Sequence, residues 1–286
     1  MVWNVRDKLA GTLTPEDLFP AERMPTGIVH QRVTDLLDLT GKRAVVTGAG
    51  GPGHGQACAN RLAGLGADVV LIDRAEKAVS RAAETCADRW GTRAIAKVGD
   101  VMDADDIERL FREINDELGG IDILVNNAFD AVTAPFRSMS AADITRTVTG
   151  VLVGPMFCAR AALDYMIPQQ SGHIINVASA AGFVAIADLV AYGAGKSGIV
   201  AFTQSLAKEV AADGIHVLCV APGMMLPFKP PAAVLDLPSV LDSFPRTWLG
   251  RVSIAEEVAN VVAFLASPAA GFMTGTTVRV DGGMSG

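Results

Sequence analysis

Cysteine and tyrosine are scarce in this chain, with four of the first and two of the second among 286 residues. The cysteines, Cys58, Cys86, Cys158 and Cys219, form no C-x-x-C pair and lie near no histidine cluster, which argues against a zinc centre. Their flanks (QACAN, ETCAD, MFCAR, VLCVA) read as helix or strand interior. They are expected to be small buried hydrophobes, and no metal site is expected. No basic tract stands out and the net charge is −7, so nucleic acid is not an expected partner. No apolar run approaches the roughly 18 residues of a membrane span, so no membrane is expected either. The first thirty residues are broken by charge and hold no apolar stretch of the kind a secretory signal needs. These absences point to a cytoplasmic, reducing location.

What is present is apolar and alternating. Half of the residues are hydrophobic and 19% are charged, enough for one large core. From Arg43 onward, short β-rich runs at 43–47, 68–73, 93–98, 121–125, 173–178, 215–220 and 276–280 alternate with helical patterns. Those patterns cover 56–65, 75–90, 104–118, 141–166, 192–212 and 255–266. Such alternation predicts an α/β fold: one doubly wound domain over 41–286 with a seven-stranded, mostly parallel sheet covered on both faces. Residues 1–40 read as an N-terminal extension, in which Thr14-Pro15-Glu16-Asp17 marks a helix start. Residues 224–250 hold five prolines among large apolar side chains. Falling just after a predicted strand, they are expected to form a lid over a substrate site, with Phe228, Leu235, Leu237, Phe244 and Trp248 as candidate walls. Met224 and Met225 are expected to line the pocket.

The turn after the first strand, TGAGGPGHG (47–55), contains G-x-G-x-x-G at Gly48, Gly50 and Gly53. With a strand before it and a helix after it, this pattern allows close approach of a pyrophosphate to backbone N–H groups at a helix N-terminus. Gly55 and His54 belong to the same turn, with the His54 ring expected to face solvent. Asp73 ends the second strand, where a carboxylate can accept from a ribose 2′-hydroxyl and repel a 2′-phosphate. The expected cofactor is therefore NAD, with NADP less favoured. Arg74 beside it is the residue that could accommodate the extra phosphate.

Tyr192 and Lys196 lie four apart on a predicted helix, and so share a face. A nearby ammonium favours phenolate and is expected to lower the tyrosine pKa towards the range useful for proton exchange with an alcohol. Ser179 precedes Tyr192 by thirteen residues.

Together with Asp100-Val101, Asn126-Asn127-Ala128, Pro222-Gly223 and Val280-Asp281-Gly282-Gly283, these motifs resemble the short-chain dehydrogenase/reductase family over nearly all of 41–286. The resemblance implies a Rossmann-type domain and an NAD(P)-dependent alcohol dehydrogenase or ketoreductase. It implies Tyr192 as general acid/base and Ser179 as the group polarising the substrate oxygen. Lys196 would lower the tyrosine pKa and hold the nicotinamide ribose. Asp100 and Val101 would line the adenine pocket. Asn126, Asn127 and Ala128 would lie along the cofactor, and Pro222 and Gly223 would pass the nicotinamide. It further implies a homotetramer or homodimer acting on a small alcohol or ketone, which the apolar 224–250 segment suggests is hydrophobic.

Three departures stand against the family pattern. The glycine turn carries one extra residue, so it must bulge or shift its register. Phe129 stands where the family has glycine, which would narrow the site. Val151 falls where the family has a helix asparagine, so a proton relay through that position is altered or missing, unless Thr147 or Thr149 substitutes. Pro155 is expected to kink the same helix. Val151 and Phe129 motivate one alternative, an NAD-binding regulatory or scaffold protein with little or no turnover; a second alternative is a non-redox dehydratase or epimerase that retains NAD and the tyrosine.

Overall fold

The computed structural model describes residues 30–226 and 247–286. The helix start at Thr14–Asp17 and most of the 224–250 segment, including Phe228, Leu235, Leu237 and Phe244, lie outside the described residues.

Seven strands form one parallel sheet: β1 (Arg43–Thr47), β2 (Asp68–Asp73), β3 (Ala94–Val98), β4 (Ile123–Asn126), β5 (Gly172–Val177), β6 (Ile215–Pro222) and β9 (Thr277–Val280), in the order β3-β2-β1-β4-β5-β6-β9. A separate two-stranded pair, β7 (Met225–Leu226) with β8 (Ser253–Ile254), was not legible from sequence. The chain builds outward from β1 to β3, then returns to place β4 on the other side of β1. This reversal opens a crevice at the carboxyl ends of β1 and β4, where ligands bind in such sheets.

The helices are α1 (His54–Gly64), α2 (Glu76–Trp90), α3 (Ala104–Leu118), α4 (Ala141–Val148), α5 (Gly154–Gln169), α6 (Val190–Val210) and α7 (Ala255–Leu265). The third shows how local sequence sets an element. The Asp103 carboxylate caps it by accepting from the N–H groups of Asp105 (3.0 Å) and Asp106 (3.2 Å), and Gly119 at φ 75° ends it. Ile107, Leu110, Phe111 and Ile114 form its buried stripe, at helical spacing. Burying each contributes about 1.5–3 kcal/mol relative to exposure.

The single helix expected over 141–166 is instead two helices joined by a π-helical turn, Thr149–Val153. Pro155 supplies the reason. Its missing N–H cannot bond the carbonyl of Val151 four residues back, and its ring would crowd that carbonyl, so the helix widens for one turn. The combined run Ala141–Gln169 is long and apolar enough to cross a membrane, which corrects the sequence-based statement that no run approaches that length. Half of its apolar window is buried within the fold, and α5 packs on α3, as a core helix does. All four cysteines are free and buried. Burial pushes the Cys58 and Cys158 thiols up to about 12, so they serve the core and not chemistry.

At the amino edge of the sheet, His173 of β5 stacks on His216 of β6, with centroids 4.7 Å apart and planes 7° from parallel. His173 Nε2 is buried without a partner. Burial, then His216 and Lys42, push its pKa down to about 3, against a smaller upward pull from Asp122. The fold therefore prefers neutral His173. Its contribution is complete above the ordinary value of 6.5 and is lost as pH falls towards 3, with a slope of up to about 1.4 kcal/mol per pH unit. Urea denaturation between pH 7 and pH 4 should show this loss, and His173→Gln should make it shallower. An unchanged slope would remove His173 as its source.

Candidate active site

Every strand that the motifs follow ends on the same edge of the sheet. The glycine turn leaves β1, Asp73 ends β2, Asp100 follows β3, Asn127 follows β4, Ser179 follows β5 and Pro222 ends β6.

The turn is held by a clamp between β1 and β4. Asn127 Nδ2 donates to the carbonyls of Thr47 and Gly48, each at 3.0 Å. The Thr47 hydroxyl accepts from the N–H groups of Asn127 and Ala128, each at 3.1 Å. Gly48 has φ 66°, and a Cβ there would lie 2.7 Å from Ala128 Cα. A Cβ on Gly55 would run into the Gly48 carbonyl. The extra residue of the turn is taken up by the exposed pair Gly51 and Pro52 ahead of the helix, whose N-cap is Gly53.

Asp73 braces this turn, accepting from Gly50 N (2.9 Å) and from Ala75 N (3.0 Å). Arg74 is drawn to two carboxylates, Asp130 at 3.1 Å and Asp100 at 3.6 Å, and Arg146 also pairs with Asp130. A cavity here is lined by Gly48, Asp73, Arg74, Asp100, Val101, Ala128 and Phe129, among others. The residues assigned to the adenosine half of a dinucleotide are thus together.

A second cavity, of about 380 Å³, is lined by His54, Asn127, Phe129, Ser179, Tyr192, Lys196, Pro222 and Gly223. Ala178, Ala181, Ile186, Leu189, Met224, Met225 and Met284 make its wall largely apolar. Met284 was not foreseen. The Asp281 carboxylate accepts from Gly283 N (3.0 Å) and Ser285 N (2.9 Å), winding this segment back towards the site. Ile186 and Leu189 were also missed; they sit in an irregular loop between Ser179 and α6, where no periodicity marks an inward face.

Lys196 is 3% exposed, and its Nζ donates to the Val177 carbonyl at 2.7 Å. Nζ stands 5.6 Å from the Tyr192 ring centroid. Burial lowers the Lys196 pKa to about 8. Burial also raises the Tyr192 pKa, with a hydrogen bond to Ser179 pulling the other way. The expected depression of the tyrosine by its lysine therefore does not appear: both groups are desolvated, and burial penalises phenolate and ammonium alike. Ser179 Oγ accepts from Ala181 N at 3.2 Å, which leaves its own proton to the Tyr192 oxygen.

Other expectations need correcting. His54 does not face solvent: its Nε2 is buried in the protein without a partner, and burial, then Lys196, push its pKa down to about 4. It is a neutral imidazole lining the second cavity. Asn126 turns inward, donating to Pro155 O (3.1 Å) and Asn176 Oδ1 (2.9 Å), and lines neither cavity. Thr147 does not replace the family asparagine, because its hydroxyl accepts from Val132 N at 3.0 Å. Neither Thr147 nor Thr149 lines the second cavity. Val151 is fully buried and close-packed on Gly195, where a Cβ would lie 2.9 Å from Val151 Cγ1. Trp248 is 78% exposed, lies over Gly283 and lines neither cavity. Among the described residues, no group of three or more His, Cys, Asp or Glu could hold a metal ion.

Comparison with known proteins agrees with this geometry. A family model described as enoyl-(acyl carrier protein) reductase matches residues 48–285. The 3-oxoacyl-[acyl-carrier-protein] reductase of Aquifex aeolicus is 36% identical, over 87% of this chain and 99% of its own length. A cis-4-hydroxycyclohexanecarboxylate dehydrogenase of Sinomonas cyclohexanicum is 40% identical, over 84% of this chain and 95% of its own. A short-chain type dehydrogenase/reductase from Mycobacterium marinum superposes with TM-score 0.82 at 31% identity, covering 89% of this chain and 99% of that one. A gluconate 5-dehydrogenase from Burkholderia cenocepacia, solved with NADP and tartrate, superposes equally well at the same identity and coverage. The chain belongs to the short-chain dehydrogenase/reductase family, and so to a family of NAD(P)-binding oxidoreductases.

The clamp is testable on its own. Asn127→Ala leaves the Thr47 and Gly48 carbonyls without their donor, and should cost about 1–3 kcal/mol in urea denaturation. A loss below about 0.5 kcal/mol would mean the turn holds without it.

Proposed function

We propose that this protein is an NAD-dependent dehydrogenase that interconverts an apolar secondary alcohol and its ketone. The observation that carries this reading is the second cavity, where Ser179, Tyr192 and Lys196 meet against a wall of alanine, isoleucine, leucine and methionine side chains. The site fits a dinucleotide: two cavities flank a glycine turn at a helix N-terminus, and the buried, unpartnered Nε2 of His54 lies at the reacting end. Asp73, Asp100, Val101 and Ala128 would hold the adenosine half, and Lys196 the nicotinamide ribose.

The bound dinucleotide supplies or takes the hydride. The chain handles the proton. In reduction, the Tyr192 hydroxyl donates to the carbonyl oxygen while the Ser179 hydroxyl bonds the same oxygen. In oxidation, the tyrosinate accepts the alcohol proton. Lys196 supplies positive charge beside the phenol. Val151 and Gly195 are packed together where the family places its relay asparagine, so the proton leaves by another route.

The preference for NAD rests on charge. Asp73, Asp100 and Asp130 surround Arg74, whose guanidinium already faces two of them, so a 2′-phosphate would meet net negative charge. A second reading has a specific support: several relatives at about 36% identity are 3-oxoacyl-[acyl-carrier-protein] reductases, so a 3-oxoacyl thioester on a carrier protein is the competing substrate. We propose a cytoplasmic homotetramer or homodimer, to be checked by sedimentation; a monomer at micromolar concentration would dismiss the oligomer.

Absorbance at the NADH band, with NAD and a panel of cyclic and acyclic secondary alcohols, should report turnover. Tyr192→Phe should lower kcat about 10²–10⁴-fold. Turnover only with a 3-oxoacyl thioester would favour the second reading, and dinucleotide binding with no turnover would favour a regulatory role. Calorimetry should show NAD binding at least about tenfold tighter than NADP, and Asp73→Ala should narrow that gap. Tighter NADP binding would overturn the assignment.

A further inference from the structure

Phe129 is the single residue shared by the linings of the two cavities described above. Its side chain stands between them. The ring meets Tyr192 edge to face, with centroids 6.1 Å apart at 65°. Lys196 Nζ lies over the same ring, 5.6 Å from its centroid. The aromatic group thus touches both the phenol and the ammonium while also lining the adenosine cavity.

The backbone around it is pinned. On one side, Ala128 N donates to the Thr47 hydroxyl at 3.1 Å and Ala128 Cα closes on Gly48. On the other, Asp130 is held by Arg74 and Arg146, and a Cβ on Gly150 would lie 2.6 Å from the Asp130 carbonyl oxygen. The segment cannot swing as a loop, but the side chain is 59% exposed and free to turn about its own bonds. Exposed rotamers exchange in picoseconds to nanoseconds.

A dinucleotide is one continuous molecule, and its two halves must be joined past this residue. A ribose bonded to Lys196 Nζ needs its hydroxyl about 3 Å from that nitrogen. A ring centred 5.6 Å from Nζ leaves no room for a sugar between the two. We propose that Phe129 is a side-chain plug of the cofactor channel: its ring separates the cavity of Tyr192 and Lys196 from the adenosine cavity until the dinucleotide displaces it. The family pattern, with glycine at this position, has no such plug. The inference rests on the reading that the two cavities receive the halves of one dinucleotide.

A plug that occupies the route most of the time lowers apparent affinity by the fraction of molecules in which the route is open. Phe129→Ala should therefore bind NADH about 3–10-fold more tightly, by fluorescence titration, with Phe129→Leu in between. The chain has only two tyrosines, so ¹⁹F NMR of fluorotyrosine-labelled protein gives one probe at Tyr192 and a control at Tyr165. Without NADH, Phe129→Ala should move the Tyr192 resonance and leave that of Tyr165 in place. With NADH saturating, Tyr192 should resonate at the same position in wild type and variant, because the ring has then left it. Unchanged or weaker binding in Phe129→Ala overturns the plug, as does a Tyr192 resonance that differs between the two proteins only when NADH is bound. Failure of both proteins to bind NADH or NADPH while Tyr165 reports a native fold removes the cofactor reading and the plug with it.

Discussion

The hydrogen-bonded contact between Thr47 and Asn127 is the constraint on which the rest of the site depends. A parallel sheet leaves the carboxyl ends of β1 and β4 side by side but gives no reason for the loops beyond them to keep any one shape. One amide and one hydroxyl supply it, because the Asn127 side chain bonds two consecutive carbonyls and the Thr47 hydroxyl receives two consecutive N–H groups. These four bonds set the glycine turn and the Ala128–Phe129 segment in one frame. Asp73 adds a brace from β2. The helix N-terminus that follows is then aimed into the crevice, and everything along the cofactor route inherits its position from that edge.

Desolvation governs the Tyr192–Lys196 pair more than charge does. Lys196 and Tyr192 are both removed from water, and their ionised forms both suffer for it. A buried pair of this kind is poised by small changes in polarity, since each added dipole or charge acts in a medium that screens little. The cation–π contact with Phe129, the carbonyl of Val177 and the hydroxyl of Ser179 are the groups on hand to do this. Val151, packed tight on Gly195, contributes volume and no polarity.

Much of this was legible from the chain alone, for reasons that differ by element. Strands buried on both faces read as unbroken apolar runs, so the seven-stranded sheet could be placed. Tyr192, Lys196 and Ser179 were marked by spacing, and the structure brings them into one cavity. His54 was misjudged because a polar side chain in a glycine-rich turn ordinarily faces water; here the turn rolls it inward beside Lys196. The π turn escaped a reading based on a 3.6-residue period, although Pro155 held the clue in its missing donor. The lysine was expected to depress the tyrosine pKa because spacing reports proximity but not dielectric. Met284 was invisible because its approach depends on how the Asp281 carboxylate winds a segment distant in sequence.

That winding bears on how the protein matures. His54 and Met284 line the same cavity, yet they come from opposite ends of the catalytic fold. A nascent chain emerging from the ribosome can form β1–β4 and, with Asn127, clamp its glycine turn early. The second cavity has no complete wall until β9 has docked beside β6 and carried residue 284 into place, a closure over more than fifty residues of chain. Half-made molecules would thus carry the glycine turn and its clamp well before the second cavity is closed.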